Sequence, residues 1–390
     1  MLARRILRIK VFQSLYSIHT LEQGNHQAGF DMLMDEIRDQ IEYIDATSTQ
    51  KEGYEKLAEA TWKPEKPDQE DETFSLPNWL QSLIGSHKAT LKNQNEKDRR
   101  NVAKKLALDL EVVTGETIGM LNLMINLMEK VNEKEEVKQT KHFNNQPSEA
   151  HLLKFAQHPI LLALKQSDWF EKETKKLKKR WFDNEELVHV MYRDCLLGNE
   201  YYQEYMAMEA PTPEAHASML KNLVKQMMKH KVLHHDMIDL DLNWIENSQL
   251  ATIELKKATK VAIQQPDFVF GLDVFQSEKE DMIFFMNELF SKTLEYQHEW
   301  LEIAAEKLEK WEVGRLALSD RQLYCLALTE MAVFQHIPIK VTLNEVLEIS
   351  KTYSTPDSYK FLNGMLDKVS TMLLHKGRIK KSGKGLMDNK

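Results

Sequence analysis

Apolar residues return every three to four positions along most of this 390-residue chain, and only 13 glycines and 10 prolines interrupt them. That spacing lines one side of an α-helix with apolar side chains. Leu, Lys, Glu and Met, which keep rotamer freedom in a helix, are abundant and favour the same outcome. No stretch alternates apolar and polar residues for long enough to specify a strand, and no internal repeat is present. The expected fold class is all-α, a helical bundle.

The pattern also divides the chain. In residues 2–22, Leu2, Ile6, Ile9, Phe12 and Tyr16 share one side, and Leu7, Val11, Leu15 and Ile18 the opposite one. A helix apolar on two sides sits between other helices. A second helix is expected over 28–46, followed by a linker near 62–77, where Pro64, Pro67 and Pro77 stand among acids. A long helix is read over about 98–137 and a polar loop near 138–148. Helical segments continue from 149 to 265, and Pro266 and Gly271 mark a further break. Near the end, helices are expected over about 278–310, from Ser319, from Thr342 and from Thr355. Ser319 with Gln322 and Thr342 with Glu345 have capping-box spacing. Thr355-Pro356 has the form of an N-cap followed by proline at the first helical position.

Composition narrows the function. Cys195 and Cys325 stand far apart with no Cys-x-x-Cys pair, which disfavours a disulfide framework or a cysteine zinc site and fits a reducing, cytoplasmic setting. No run of 18 apolar residues suggests a membrane helix. Phosphate-binding loops, Gly-x-Gly-x-x-Gly, Gly-x-Ser-x-Gly and His-Glu-x-x-His are all missing, so neither an enzymatic activity nor a cofactor is expected. His234-His235-Asp236 is read as surface or packing, because adjacent helical residues point about 100° apart and cannot share one ion.

The net charge of −8 disguises a polarised chain. Residues 1–12 hold Arg4, Arg5, Arg8 and Lys10 with no acid. Residues 376–390 hold Lys376, Arg378, Lys380, Lys381, Lys384 and Lys390 against Asp388 alone. A phosphate backbone responds to such local fields, although basic tails are more often solvated. Arg4, Arg5 and Arg8 fall within about a third of a helix circumference, where forked guanidiniums can meet consecutive phosphates. Gln13 and Tyr16 continue along this helix, and Tyr16 can stack on an unpaired base; equally, Phe12 and Tyr16 can be core. A run of Lys172, Lys175, Lys176, Lys178, Lys179 and Arg180 beside Trp181 is read first as a solvated helix face and second as an RNA path.

Three stretches carry a family resemblance. Leu2-Ala3-Arg4-Arg5-Ile6-Leu7-Arg8-Ile9-Lys10-Val11-Phe12-Gln13-Ser14-Leu15-Tyr16 resembles the arginine-rich first helix of the NusB antitermination factors. Residues 337–351, IPIKVTLNEVLEISK, resemble the family's penultimate helix, and residues 357–368, DSYKFLNGMLDK, its last one. The resemblance implies an all-helical RNA-binding fold that pairs with a small-subunit ribosomal protein, called NusE in this role. The pair binds a single-stranded boxA-like RNA and joins the RNA polymerase antitermination complex during rRNA transcription. It implies RNA contact by Arg4, Arg5, Arg8 and Tyr16 from the first helix and by Asp357, Lys360 and Phe361 from the last. Asp320 and Arg321 would face the partner. Asp357 also has a plain reading as a charge at a helix start, Lys360 as a solvated cation and Phe361 as core. Gly364 suggests close approach of a neighbouring backbone.

The resulting division is 1–27, an RNA-binding first helix; 28–277, an inserted helical region; 278–375, a C-terminal NusB-like bundle; and 376–390, a basic tail. The competing functions are a helical scaffold or ribosome-assembly protein that binds only proteins, and the RNA-binding appendage of an rRNA methyltransferase. The second is disfavoured by the missing Gly-rich cofactor loop and catalytic Cys motif.

Overall fold

The computed structural model of the chain describes residues 2–44, 46–62, 76–141, 153–265, 267, 278–307 and 316–387. These are helical without a strand among them. In chain order the helices are α1 (Leu2–Tyr43), α2 (Ser48–Trp62), α3 (Asn78–Lys141), α4 (Leu153–Ala156), α5 (Pro159–Lys165), α6 (Asp168–Lys176), α7 (Glu185–Met191), α8 (Glu200–Ala207), α9 (Pro213–Met227), α10 (Lys231–Leu240), α11 (Trp244–Ala262), α12 (Lys279–Lys307), α13 (Leu318–Val333), α14 (Ile339–Tyr353) and α15 (Ser358–His375). They fall into two compact units. Unit 1 is residues 1–8 and 107–286, and unit 2 is residues 9–106 and 287–390.

Unit 1 is built around the second half of α3. Between Ile118 and Val131 this helix buries Ile118, Met120, Leu121, Leu123, Met124, Ile125, Leu127, Met128 and Val131, so apolar residues surround it on all sides. Phe155, Phe182, Leu220, Leu223 and Trp244 are buried in the same core. Four helices of this unit, α6 to α9, start on local side-chain caps, while α5, α10 and α11 do not. Ser167 accepts from the Phe170 amide at α6, Asn184 from those of Glu186 and Leu187 at α7, Asn199 from that of Tyr201 at α8, and Thr212, ahead of Pro213, from that of Ala215 at α9. Each cap satisfies backbone donors that a helix start leaves open.

In unit 2, Leu33, Ile37 and Ile41 of α1 pack with Ala58 and Trp62 of α2 and Leu80 and Ile84 of α3. Trp62 Nε1 donates to the His26 carbonyl at 3.2 Å, and His26 Nε2 lies 3.1 Å from the Trp62 carbonyl. The C-terminal half of the unit has α13 at its centre, with Asp320 and every residue from Gln322 to Met331 buried. Trp300 of α12, wholly buried, donates through Nε1 to Thr329 Oγ1 at 2.9 Å. Thr342 Oγ1 of α14 donates to Glu330 Oε1 at 2.6 Å.

Several sequence expectations change here. The helices read over 2–22 and 28–46 are one helix, since a single glycine costs too little to break it; Gly24 has open space around it. Helix α2 went unread, and α3 begins at Asn78 and continues through 138–141, where a loop was expected. The remaining linker residues 63–75, Pro266 and Gly271 lie outside the described residues. Neither capping box forms. The N-cap of α13 is Ala317 and that of α14 is Pro338, and the hydroxyls of Ser319 and Thr342 bond to other helices instead. Helix α15 starts at Ser358, beyond Thr355-Pro356. Gly364 has no neighbour within 4 Å of a built Cβ, so no helix approaches it closely.

The basic tail is folded as far as it is described. Arg378 makes a bidentate pair with Glu299, both contacts at 2.9 Å, and lies over the rings of Tyr296 and Trp300. Lys381 donates to the Phe334 carbonyl and the Ser382 amide to that of Gln335, both near the end of α13. Ile379 is buried, and a Cβ on Gly385 would run into the Gln335 carbonyl oxygen. Asp388 and Lys390 lie outside the described residues.

Candidate nucleic-acid interface

Within unit 2, the register of α1 puts Phe12 and Tyr16, four residues apart, on one face. Phe12 is buried edge-on against Tyr353 with ring centroids 5.8 Å apart, and its ring lies 6.4 Å from that of Tyr16. Tyr16 is 44% exposed. These three rings, with Gln13, Ala317, Leu318 and Ser319, line a cleft of about 450 Å³. Its walls are aromatic and aliphatic, and the Gln13 amide and Ser319 hydroxyl supply a few hydrogen-bonding groups. Such a surface stacks flat rings and reads their edges.

The cleft is tied to the start of α15 through Ser319. Its Oγ lies 2.8 Å from Ser354 Oγ. Ser354 and Ser358 donate to the two carboxylate oxygens of Asp320, at 2.5 and 2.7 Å, which leaves their own Oγ atoms 3.1 Å apart. Thr355 Oγ1 lies 2.6 Å from Ser358 Oγ. Asp320 is therefore buried, 5% exposed, at the centre of a hydroxyl cluster. Its neighbour Arg321 is half-buried. Burial, and then the Arg321 guanidinium, push His19 below the ordinary imidazole range. Arg321 Nε and His19 Nε2 are both buried without a hydrogen-bond partner.

On the outer side of that turn, Asp357 is exposed and accepts from Lys360 Nζ at 2.9 Å. This bond raises the Lys360 pKa and keeps its charge. Lys351 and Lys360 both lie over the ring of Tyr359, at 5.4 and 5.8 Å. Phe361 is half-buried. Unit 2 thus gathers Gln13 and Tyr16 at one cleft, and joins it by hydrogen bonds to the turn that bears Asp357, Lys360 and Phe361.

The three arginines belong to unit 1. Arg4 is exposed and Arg5 half-buried, while Arg8 is only 1% exposed. The guanidiniums of Arg4 and Arg8 lie over the Phe285 ring at 5.9 and 5.7 Å, a cation–π arrangement that rewards a desolvated arginine. Arg8 is thus a packing residue of this structure, whereas Arg4 keeps an exposed side chain.

Three of the six cations in the lysine run of unit 1 are paired with acids. Lys175 pairs with Glu171, Lys176 with Glu173 at 2.5 Å and Arg180 with Asp183 at 2.6 Å, while Lys179 donates to the Leu240 carbonyl. His234 is a packing residue, 2.6 Å through Nε2 from the Met228 carbonyl and accepting from Trp244 Nε1 at 3.1 Å.

Sequence reasoning missed Tyr353, Ser354 and Ser358. Tyr353 carries no local signal, since only the fold brings it to Phe12. The hydroxyls of 354–358 were visible, but in sequence they are indistinguishable from helix caps.

Comparison with known proteins gives an independent reading. The NusB family model matches residues 249–371, starting inside the stretch read as an insertion and not reaching α1. The chain is 41% identical over 103 residues to "Transcription antitermination protein NusB" of Salinibacter ruber, covering 26% of this chain and 64% of that protein. A protein of the same name from Chloroherpeton thalassium is 43% identical over 84 residues, 22% of this chain and 40% of its own. Another from Thermodesulfovibrio yellowstonii is 32% identical over 96 residues, 25% and 64% respectively. The chain thus spans less than two thirds of the length of each. No solved structure matches it significantly. The matched residues contain α13, α14 and most of α15 with their hydroxyl cluster, so it is the C-terminal part of this chain that is similar to the NusB family.

Proposed function

We propose that this protein is an RNA-binding transcription antitermination factor. It binds a boxA-type single-stranded RNA together with a small-subunit ribosomal protein during rRNA transcription, without catalysing a reaction, and it does so in the cytoplasm. The observation that carries this reading is the aromatic cleft of Phe12, Tyr16 and Tyr353, joined through Ser319 to the start of α15, within the residues the NusB family model matches. A single-stranded base offers a flat ring for Tyr16 and polar edges for Gln13, while Lys360 supplies charge for the phosphates. Asp357 and Phe361 complete this end of the path. In unit 1, Arg4 and Arg5 make phosphate contacts of their own, and Arg8 packs beside Arg4 over Phe285. The ribosomal partner docks at the start of α13, where Arg321 stands beside the buried Asp320.

The test is a titration of the full chain with a boxA-like single-stranded RNA, with and without the ribosomal protein, across a salt series. Tyr16→Ala is expected to cost about 1–3 kcal/mol of RNA affinity, the scale of one stacked base. Arg4→Ala with Arg5→Ala is expected to lower the salt slope by about 1.4, for two single-strand phosphates at roughly 0.7 each. Binding that ignores Tyr16 and an unchanged slope would together reject the interface.

A further inference from the structure

Asp320 is buried, yet both of its carboxylate oxygens are held by hydroxyls from the turn that begins the last helix. We propose that Asp320, Ser354 and Ser358 form a positioning cluster: they fix the first turn of α15 against α13 and so set Asp357, Lys360 and Phe361 in register with the Tyr16 cleft for RNA. The inference rests on the RNA-binding reading and assigns new roles within it. Asp320 acts from inside, through two serines, rather than by touching RNA.

Three observations carry it. First, the start of α15 has no cap of its own: Asp357 occupies the N-cap position without a side-chain hydrogen bond to the backbone. Its first turn rests on backbone bonds alone, from the Ser358 amide to the Thr355 carbonyl and from the Lys360 amide to that of Asp357, and the side-chain bonds of Ser354 and Ser358 to Asp320 add a tertiary anchor. Second, the cluster is continuous with the cleft. Ser319, which lines the cleft, bonds to Ser354, and Ser354 and Ser358 both bond to Asp320. A shift at either end is transmitted through hydroxyls only 2.5–3.1 Å apart. Third, the chemistry suits a fixed support. A carboxylate accepts only, so Ser354 and Ser358 must donate into it, which sets their rotors. Such charge-assisted bonds are about twice as strong as neutral ones. Burial makes each costly to leave unmade.

The experiment uses the full chain with Ser354→Ala and Ser358→Ala, which shorten two side chains without adding charge, and Ser358→Thr, which keeps the hydroxyl. Hydrogen exchange of residues 354–363 is measured without RNA, and residues 323–331 of α13 serve as the internal reference. The double alanine variant is expected to exchange at least about tenfold faster over 354–363 with the reference unchanged, and Ser358→Thr to restore most of the protection. In parallel, Lys360→Ala is titrated with a boxA-like RNA in the wild-type and double-alanine backgrounds. It is expected to weaken binding several-fold in the first and by less than twofold in the second, because an unplaced Lys360 has little left to lose.

Unchanged exchange over 354–363 overturns the proposal whatever the RNA does. Faster exchange with an equal Lys360→Ala penalty in both backgrounds also overturns it, since the turn would then be ordered without serving the contact. If the wild-type chain fails to bind the RNA, the functional reading falls, and the exchange measurement still decides whether the cluster positions the turn.

Discussion

Four helix starts of unit 1 and three of unit 2 spend their hydroxyls and amides differently. In unit 1 the starts of α6, α7, α8 and α9 are closed by Ser167, Asn184, Asn199 and Thr212, each bonding within its own first turn. In the part of unit 2 that the NusB family model matches, α13, α14 and α15 start without a side-chain cap, and Ser319, Thr342, Ser354 and Ser358 reach across to other helices. A local cap stabilises one helix and says nothing about its neighbours. A hydroxyl spent between helices fixes their relative register, which a binding surface assembled from several helices requires.

The largest test of this division is at the two tryptophans. Trp244 of unit 1 and Trp300 of unit 2 are both wholly buried, each with its indole N–H donated to a side chain. Replacing either by Ala is expected to destabilise its own unit by about 3–5 kcal/mol. Denaturant unfolding followed by segment-resolved hydrogen exchange would show the loss. If Trp244→Ala removed protection equally from α13 and α9, the contrast between two separately built regions would collapse.

The next test is pH. Burial pushes the Glu116 carboxyl up to about 7, with Asp241 adding to it and the Trp181 hydrogen bond opposing. Burial likewise raises Glu254 to about 7, against a hydrogen bond from Thr117. Both lie in unit 1. A carboxyl whose pKa is raised by folding contributes most below its unfolded value near 4.5, and that stability is lost as pH rises through about 7. Unit 1 is therefore expected to weaken between pH 5 and 8, by on the order of 2–3 kcal/mol from Glu116. Glu116→Gln should flatten a large part of that slope in exchange measurements over α3 and α9. A slope unaffected by the substitution would reject the assignment.

A pair of glycines makes a smaller, sharper contrast. A Cβ at Gly119 would stand 2.8 Å from Trp181 Cζ2, whereas one at Gly364 would meet nothing. Gly119→Ala is expected to cost about 1–3 kcal/mol by displacing the ring that donates to Glu116. Gly364→Ala, in the interior of α15, should gain roughly 0.5–1 kcal/mol. Thermal melts of the two variants shifting in the same direction would contradict this picture.

The glycines also show where sequence stops informing. Periodicity located the helices from α12 onward and the two-sided character of α1, because burial is written in the spacing of apolar residues. The role of Gly119 depended on Trp181, 62 positions away, and no local pattern reports that. Ser319 and Thr342 had the spacing of capping boxes, and the inference failed because a hydroxyl can bond locally or across helices with identical neighbours in the chain. Family resemblance rested in part on residues 337–351 and 357–368, and the NusB family model covers both stretches. It could not show that Asp320 is buried or that Arg8 packs on Phe285. Those facts depend on which helix lies opposite.

The smallest effect expected is at the lysine run of unit 1. Lys172 and Lys178 are exposed, while Lys175, Lys176 and Arg180 are each paired with an acid three or four residues away. Exposed pairs of this kind contribute little to stability, and their acids cancel part of the field a phosphate would feel. Lys172→Ala with Lys178→Ala is therefore expected to leave stability within about 0.5 kcal/mol and to change RNA affinity by less than about twofold at moderate salt. The salt-series titration checks both backgrounds together. A drop in slope as large as that from Arg4→Ala with Arg5→Ala would mean that these lysines neutralise phosphates after all. The RNA path would then include a surface built on local caps and local ion pairs, and register fixed between helices would not be what distinguishes the binding region from the rest of the chain.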